Sequence, residues 1–293
     1  MKHTYIDLHT HTLRSDGAYT PQQLCAMAQE AGIGILALTE HNYTEDITDL
    51  RAQFPQLHLI QGVEIGCMYT DSQGREVEIH VVGLGFDPSH PKIREVLANN
   101  DPDRRPYINT ILDRLRQCGI DLGSYEDMHR RYPDSRLVGR MNIAKCMKEL
   151  GYVASVDEGF DRYIGAFGER RAYVPTPIRY VSMEDAVSAV IESGGLPVLA
   201  HLYYYDLEEQ EYPRLLETFK VLAGEHGAME VFYERYTQQQ REELKQLADR
   251  YGLMYSAASD FHGQRERDTL KNGFRSIDCQ QLLTHLGQGI DTV

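Results

Sequence analysis

Six of the chain's twelve histidines, together with three carboxylates, stand at the ends of apolar runs, where their donors could hold divalent cations. The first runs are Tyr5-Ile6-Asp7-Leu8 before His9-Thr10-His11, with Ser15-Asp16-Gly17 close behind, and Ile35 to Thr39 before Glu40-His41. Leu57 to Ile60 leads to Gly62-Val63-Glu64, and Val77-Glu78-Ile79 leads to His80. Leu196 to Ala200 leads to His201, and Ala257-Ala258-Ser259 leads to Asp260-Phe261-His262. Each of these histidines, taken singly, also reads as a hydrogen-bonded core residue. Taken together, all six follow strand candidates, and three lie in the two short pairs His9-x-His11 and Asp260-x-His262. Residues i and i+2 of an extended segment share a face, so each pair can chelate one metal or bridge two. Nitrogen and carboxylate oxygen donors without cysteine suit Zn²⁺, Mn²⁺ or Fe²⁺, not an iron–sulfur cluster. The expected centre is polynuclear.

Donors scattered over most of a chain meet only if the fold gathers strand ends. A barrel of βα units does this, because ligands at strand C-termini converge on one face. Thr20-Pro21 predicts a helix start, with Thr as N-cap and Pro at the first helical position. Leu24, Met27, Ala28 and Ala31 follow at helical spacing and Gly32 closes the segment. Asp71-Ser72-Gln73-Gly74 predicts a turn that makes Glu64 and His80 neighbours on a strand pair. From about Pro88 to Pro175 the rhythm stops. Residues 106–118 and 140–150 have helical periodicity there, and no ligand candidate falls in the stretch. The βα pattern resumes at Ser182, a helix cap with Asp185 in capping-box spacing. Strands are expected at 196–200, 229–233 and 253–259, with helices at 213–223 and 238–250. The fold class is therefore α/β, a distorted (β/α)7 TIM-like barrel with a helical insertion. Residues 1–90 and 175–293 form the barrel that carries the metal site, and 91–174 form a mainly helical insertion capping the active site.

At 293 residues the chain can bury a large core as one barrel with an insert. The strand-like run from Tyr5 leaves no room for a signal or transit peptide. No apolar stretch approaches the roughly 18 residues of a membrane span. Five cysteines without a CxxC pair read as reduced thiols, and the expected location is cytoplasmic. The net charge of −14 excludes broad binding to duplex nucleic acid. Residues 92–180 nevertheless hold 16 Lys/Arg against 13 Asp/Glu, whereas the remainder holds 14 against 31. Divalent cations on the three candidate carboxylates would make that site locally positive, so an anionic substrate stays compatible with the acidic chain.

The ordered motifs Asp7-x-His9-x-His11, Ser15-Asp16-Gly17, Thr39-x-His41, Gly62-Val63-Glu64, Glu78-x-His80, Ala200-His201 and Ser259-Asp260-Phe261-His262-Gly263 resemble the PHP (polymerase and histidinol phosphatase) superfamily. The likeness runs from residue 7 to residue 263, and all nine ligand positions occur in order. It implies a barrel with three divalent metal ions, Mn²⁺, Fe²⁺ or Zn²⁺. By the resemblance, His9, His11, Glu64 and Asp260 hold the first metal, and Asp16, His41 and His262 the second. Glu64 bridges to a third, also held by His80 and His201. Such a site suits phosphate ester hydrolysis by metal-activated hydroxide, because concentrated positive charge offsets the repulsion between the ester and its nucleophile.

Within the insertion, Val138 to Ala144, Phe160 to Ile164 and Arg170 to Pro175 resemble the branch of nucleoside 3′,5′-bisphosphate phosphatases and 5′-3′ exoribonucleases. That branch uses its insert to supply basic residues to phosphate, which makes Arg140 and Arg171 the candidates here. Both also read as solvated surface arginines. Tyr203-Tyr204-Tyr205, directly after His201, is the candidate aromatic platform, and such a run also reads as partly buried wall. Two departures bear on substrate: Glu40 stands where the family usually has Asp, and Asn142 where it usually has His. Asparagine can hydrogen-bond to phosphate but cannot carry charge or transfer a proton.

The expected activity is hydrolysis of a small nucleotide or short single-stranded RNA, with no membrane partner. Alternatives are a histidinol-phosphate phosphatase and a phosphodiesterase for a small cyclic phosphate. A non-enzymatic reading, a polymerase-associated or regulatory module, predicts lost ligands, and none is lost.

Overall fold

Strand parity decides what the molecule encloses. In a computed structural model describing residues 5–100, 103–133, 135–136, 138–166, 168–175, 180–264, 268–270 and 274–287, the strands are β1 (Tyr5–Asp7), β2 (Ile33–Leu38), β3 (His58–Thr70), β4 (Glu76–Leu84), β5 (Val181–Ser182), β6 (Leu196–Leu199), β7 (Ala228–Tyr233) and β8 (Met254–Ala258). Along β3, Val63, Ile65, Cys67 and Tyr69 join an outer core with Val77, Ile79 and Val81 of β4. The alternate residues, Glu64 on β3 and Glu78 and His80 on β4, therefore face inward.

The strand order is β1-β2-β3-β4-β6-β7-β8, with β5 pairing β3 off this path. The ends of the path meet: Leu8 N–H donates to Ala257 O and Asp260 N–H donates to His9 O, each at 2.9 Å. Ile6, Leu8, Ile35, Ala37, Ile60, Val82, Leu84, Val198, Ala200, Ala228 and Met254, drawn from or adjoining each strand of the path, form one inner cluster. This is a distorted (β/α)7 barrel with a packed lumen. The distortion is β4, antiparallel to both β3 and β6. Its cause is the turn expected at Asp71–Gly74, which is too short for a parallel crossover. There Asp71 Oδ1 accepts from Gln73 N at 2.9 Å and Arg75 N at 2.8 Å.

The helices are α1 (Pro21–Glu30), α2 (Thr48–Gln53), α3 (Pro91–Asn99), α4 (Arg105–Gln117), α5 (Tyr125–Arg131), α6 (Arg140–Glu149), α7 (Val156–Gly159), α8 (Met183–Glu192), α9 (Tyr212–Ala223), α10 (Gln238–Tyr251) and α11 (Gln280–His285). Thr20 caps α1 in a full capping box with Gln23. Ser182 Oγ accepts Asp185 N–H at 3.1 Å to start α8. The first helix of the long middle segment, α3, packs Ile93 and Val96 into the outer barrel core beside Ala186 and Val190 of α8. The helices α4–α7 enclose a separate core that includes Ile108, Ile111, Leu115, Met128, Ile143, Met147 and Ile164. Burying an aliphatic side chain of this size contributes about 1.5–3 kcal/mol, so this group supplies much of its own cohesion. Among the described residues no helix is long and apolar enough to cross a membrane.

Candidate active site

Glu64 is where the dispersed motifs converge. It is 1% exposed and sits mid-strand on β3, facing the barrel mouth. Its Oε2 lies 3.3 Å from His9 Nε2, 3.3 Å from His11 Nε2 and 2.8 Å from His41 Nδ1. Its Oε1 lies 2.6 Å from His80 Nδ1 and 3.0 Å from His201 Nε2. One carboxylate thus turns each oxygen to a different group of imidazoles, the disposition a bridging ligand needs.

The other two carboxylates complete the cluster. Asp260 Oδ1 is 3.3 Å from His11 Nε2, 3.7 Å from His9 Nε2 and 3.5 Å from His262 Nδ1. Asp16 Oδ1 is 3.2 Å from His262 Nε2 and 3.6 Å from His41 Nε2. Three sets have donor atoms close enough to share one cation: His9, His11 and Asp260; His11, Asp16, His41 and His262; and His41, Glu64 and His80. These sets hold eight of the nine residues expected from the sequence, with His11 and His41 in two sets each, and His201 joins the cluster through Glu64 Oε1 at 3.0 Å.

Local sequence explains these positions. Asp16 rides on a loop pinned by Glu40, whose carboxylate accepts Thr12 N–H at 3.1 Å and the hydroxyls of Thr12 and Ser15. Glu40 is the residue that departs from the family's usual Asp, and here its longer side chain is fully occupied by that loop. Gly17 closes the turn because a Cβ there would lie 2.4 Å from His11 O. Asn42, after His41, adopts φ +49° and is held by Asn42 N–H to Glu64 O at 2.8 Å.

Burial works against charge on Glu64, but the imidazoles of His41, His80, His9 and His11 hold its carboxyl well below the usual range. Asp260 and Asp16 are likewise depressed against burial, chiefly by His262. Burial also opposes protonation of His11 and His80, yet Asp260 and Glu64 for the first, and Glu64 and Glu78 for the second, push both up to about 10. Glu64 Oε2, Asp16 Oδ1 and His201 Nδ1 are buried without a hydrogen-bond partner. Ionised carboxylates with open lone pairs, crowded by imidazoles and free of thiolates, are a donor set that fits divalent cations.

The cluster floors a cleft of about 500 Å³. Its walls include Arg104, Arg136, Arg140 and Phe160 from the middle segment, Tyr233 at the end of β7, and Tyr204 and Arg235 from the segments after β6 and β7. Arg140 therefore reaches the site, at the start of α6 and within the electrostatic reach of Glu78. Arg171 does not line the cleft. It is 51% exposed and its Nε sits 2.8 Å from Glu169 Oε2, a local ion pair that holds it at the surface. Asn142 is also turned away: its Oδ1 accepts Gly139 N–H at 2.9 Å and its Nδ2 donates to Ser135 Oγ at 3.1 Å. Of the three consecutive tyrosines, Tyr205 is buried with its hydroxyl donating to Ala200 O, and Tyr203 O–H points to Glu243. Only Tyr204 of the three lines the cleft, at 43% exposure and stacked on Tyr236 with ring centroids 6.0 Å apart. The sequence reading missed Arg104, Arg136, Arg235 and Glu230. For Glu230 there was a signal, a lone carboxylate in an otherwise apolar strand.

A barrel whose mouth gathers this donor set under a basic cleft defines a metal-dependent hydrolase of phosphate esters. The chain belongs to the PHP domain family, which it matches over residues 7–256. It is 35% identical over 261 residues to the 5′-3′ exoribonuclease Rnm of Salmonella typhimurium, covering 87% of this chain and 84% of that one. It is 30% identical over 269 residues to a 3′,5′-nucleoside bisphosphate phosphatase of Chromobacterium violaceum, with 89% and 88% covered. A phosphoribosyl 1,2-cyclic phosphate 1,2-diphosphodiesterase of Eggerthella lenta is 30% identical over 265 residues, with 88% and 94% covered.

Proposed function

We propose that the chain hydrolyses a phosphate ester of a small nucleotide, either a nucleoside 3′,5′-bisphosphate or the 5′ end of a short single-stranded RNA, in a reducing cytoplasm. The observation that carries this reading is the pairing of the Glu64-centred cluster with a cleft bearing both arginines and an exposed tyrosine. His9, His11, Glu64 and Asp260 would hold one ion, Asp16, His41 and His262 a second, and Glu64, His80 and His201 a third. When bound, Mn²⁺, Fe²⁺ or Zn²⁺ ions supply the positive charge and water activation that phosphate ester hydrolysis requires.

The chain's own residues do the rest. Arg140 offers a guanidinium fork to a phosphate oxygen. Tyr204 offers a face to the base. Of the segment 91–174 expected to cap the mouth, α3 belongs to the barrel's outer core, and the part from Arg104 through α4–α7 forms the wall that would shield the phosphate from bulk water. Arg171 has no part, since Glu169 holds it outside the cleft.

The test is Mn²⁺-dependent phosphate release from a nucleoside 3′,5′-bisphosphate, with histidinol phosphate and a cyclic ribose phosphate alongside. Selective turnover of the bisphosphate supports the reading. Turnover of the cyclic ester alone would transfer the assignment to the activity named for the Eggerthella relative.

A further inference from the structure

Glu230 belongs to none of the three donor sets, yet it touches His9, a member of one, and His201, whose ring reaches Glu64. It lies on β7, 2% exposed, and each of its oxygens has one partner at short range. Oε1 is 2.6 Å from His9 Nδ1, and Oε2 accepts the backbone N–H of His201 at 2.7 Å. His9 arrives from the end of β1 and His201 from the end of β6, so one carboxylate ties together residues 192 positions apart in sequence. The His201 backbone sits at φ +24°, a conformation L-residues rarely adopt, and the bond to Glu230 is one of the restraints on it.

The chemistry at His9 is directional. A carboxylate can only accept, so a neutral imidazole must present its proton at Nδ1 and leave the Nε2 lone pair bare. That Nε2 is the atom facing Glu64, His11 and Asp260. At His201 the same carboxylate anchors the turn from which the ring reaches Glu64. No contact joins Glu230 to Asp16, His41 or His262 among the described residues.

From this we infer that Glu230 is a positioning residue that jointly sets the His9-containing and His201-containing metal positions and leaves the Asp16–His41–His262 position independent. The inference rests on the metal arrangement given under Proposed function. It makes an isosteric change more damaging than a shortened one. In Glu230→Gln, the amide can keep its oxygen on His201 N–H, but its NH₂ then faces Nδ1 and drives the His9 proton to Nε2. The flipped amide restores His9 and sets a donor against His201 N–H. Glu230→Asp keeps an acceptor for His9 at reduced reach.

The experiment is calorimetric titration of metal-free protein with Mn²⁺ or Zn²⁺, with elemental analysis of bound ions, for the wild type and both variants. Thermal unfolding of the metal-free proteins checks the fold. In Glu230→Gln, one ion should bind as in the wild type and the others should weaken by about 10- to 100-fold, the usual cost of losing such an orienting partner. Glu230→Asp should lie between. A packing role predicts the reverse order, since Gln fills the space and Asp leaves a void, and that order overturns the inference. So does equal weakening of every ion, or no weakening. A wild-type chain that binds no ion refutes the metal-centre reading itself, whereas several ions bound equally by wild type and Glu230→Gln refute only the role of Glu230.

Discussion

The barrel mouth and the helical wall above it are built by opposite rules. At the mouth, most functional side chains stand on a strand or just past its end and are fixed by backbone pairing to their neighbours; Glu64 N–H, for instance, donates to Glu40 O at 3.1 Å, and His41 bridges to Glu64. In the wall, helices α4–α7 enclose their own apolar core and present to the cleft whichever polar residues lie on the facing side. The mouth is overdetermined, so a change there should remove function. The wall is modular, so a change there should tune it. On the proposed function, metal binding falls to the mouth and substrate choice largely to the wall, which accords with relatives of similar identity whose names specify different phosphate esters.

The largest effect should come from the ligand-type residues of the mouth. Replacing Glu64 or His262 with Ala is expected to lower Mn²⁺-dependent turnover by roughly 10³-fold or more, since even one preorganised electrostatic group is worth about 10²–10³. Far-ultraviolet circular dichroism should show the fold largely intact, because the lumen below is packed by residues such as Leu8, Ile60 and Val198. Activity retained in either variant would remove the polynuclear reading and with it the contrast between the two regions.

The wall predicts a smaller effect, and one arginine against another tests it directly. Arg140 lines the cleft and Arg171 does not. A charge-assisted hydrogen bond contributes about 1.5–3 kcal/mol, so Arg140→Gln should lower kcat/KM by roughly 10- to 100-fold, chiefly through KM. Arg171→Gln should stay within about twofold, as expected for an exposed pair. Steady-state kinetics on the bisphosphate separates the two. Equal losses would mean that the substrate spreads well beyond the cleft.

These two arginines also show where sequence ceased to be a guide. Eight of the nine ligand-type residues were legible because a strand's parity and its end fix where a side chain goes, whereas Asp16, on a loop, was legible only through its Ser15-Asp16-Gly17 motif. The helices of the wall were legible as periodic segments, but their rotation about their own axes follows from tertiary packing. Arg140 and Arg171 are alike in sequence, yet only the fold shows that Glu169 captures one while Glu78 faces the other. Asn142 illustrates the same limit: at the third position of α6 it bonds Gly139 N–H, a capping role decided by the helix start and not by the cleft. The reversed strand β4 was implicit in the short turn at Asp71–Gly74, whereas the pairing of Glu230 with His9, 221 residues away, had no local trace.

Proton linkage offers a graded test of the mouth. Without metal, His11 and His80 are each pushed up to about 10, so at pH 7 both hold a proton that an incoming cation must displace. Raising the pH from 6 to 8 should therefore tighten metal binding, by up to about tenfold per unit for each proton released. Calorimetry in buffers of different ionisation enthalpy measures that release. Affinity flat across this range would mean that these imidazoles are not ligands.

The smallest effect belongs to Tyr204, and it sharpens the division of labour most. Base–aromatic stacking is worth about 1–3 kcal/mol, and a ring that is 43% exposed should sit near the lower end. Tyr204→Ala is expected to raise KM for a nucleoside bisphosphate by roughly fivefold while leaving kcat nearly unchanged, because the ring touches no donor atom of the cluster except through its edge-on packing against His201. The same variant should handle a ribose phosphate that lacks a base as the wild type does. Tyr236, stacked beneath Tyr204, would remain as the wall. A loss that is equal for substrates with and without a base would assign Tyr204 to the support of His201, and would move base recognition to the helical wall opposite.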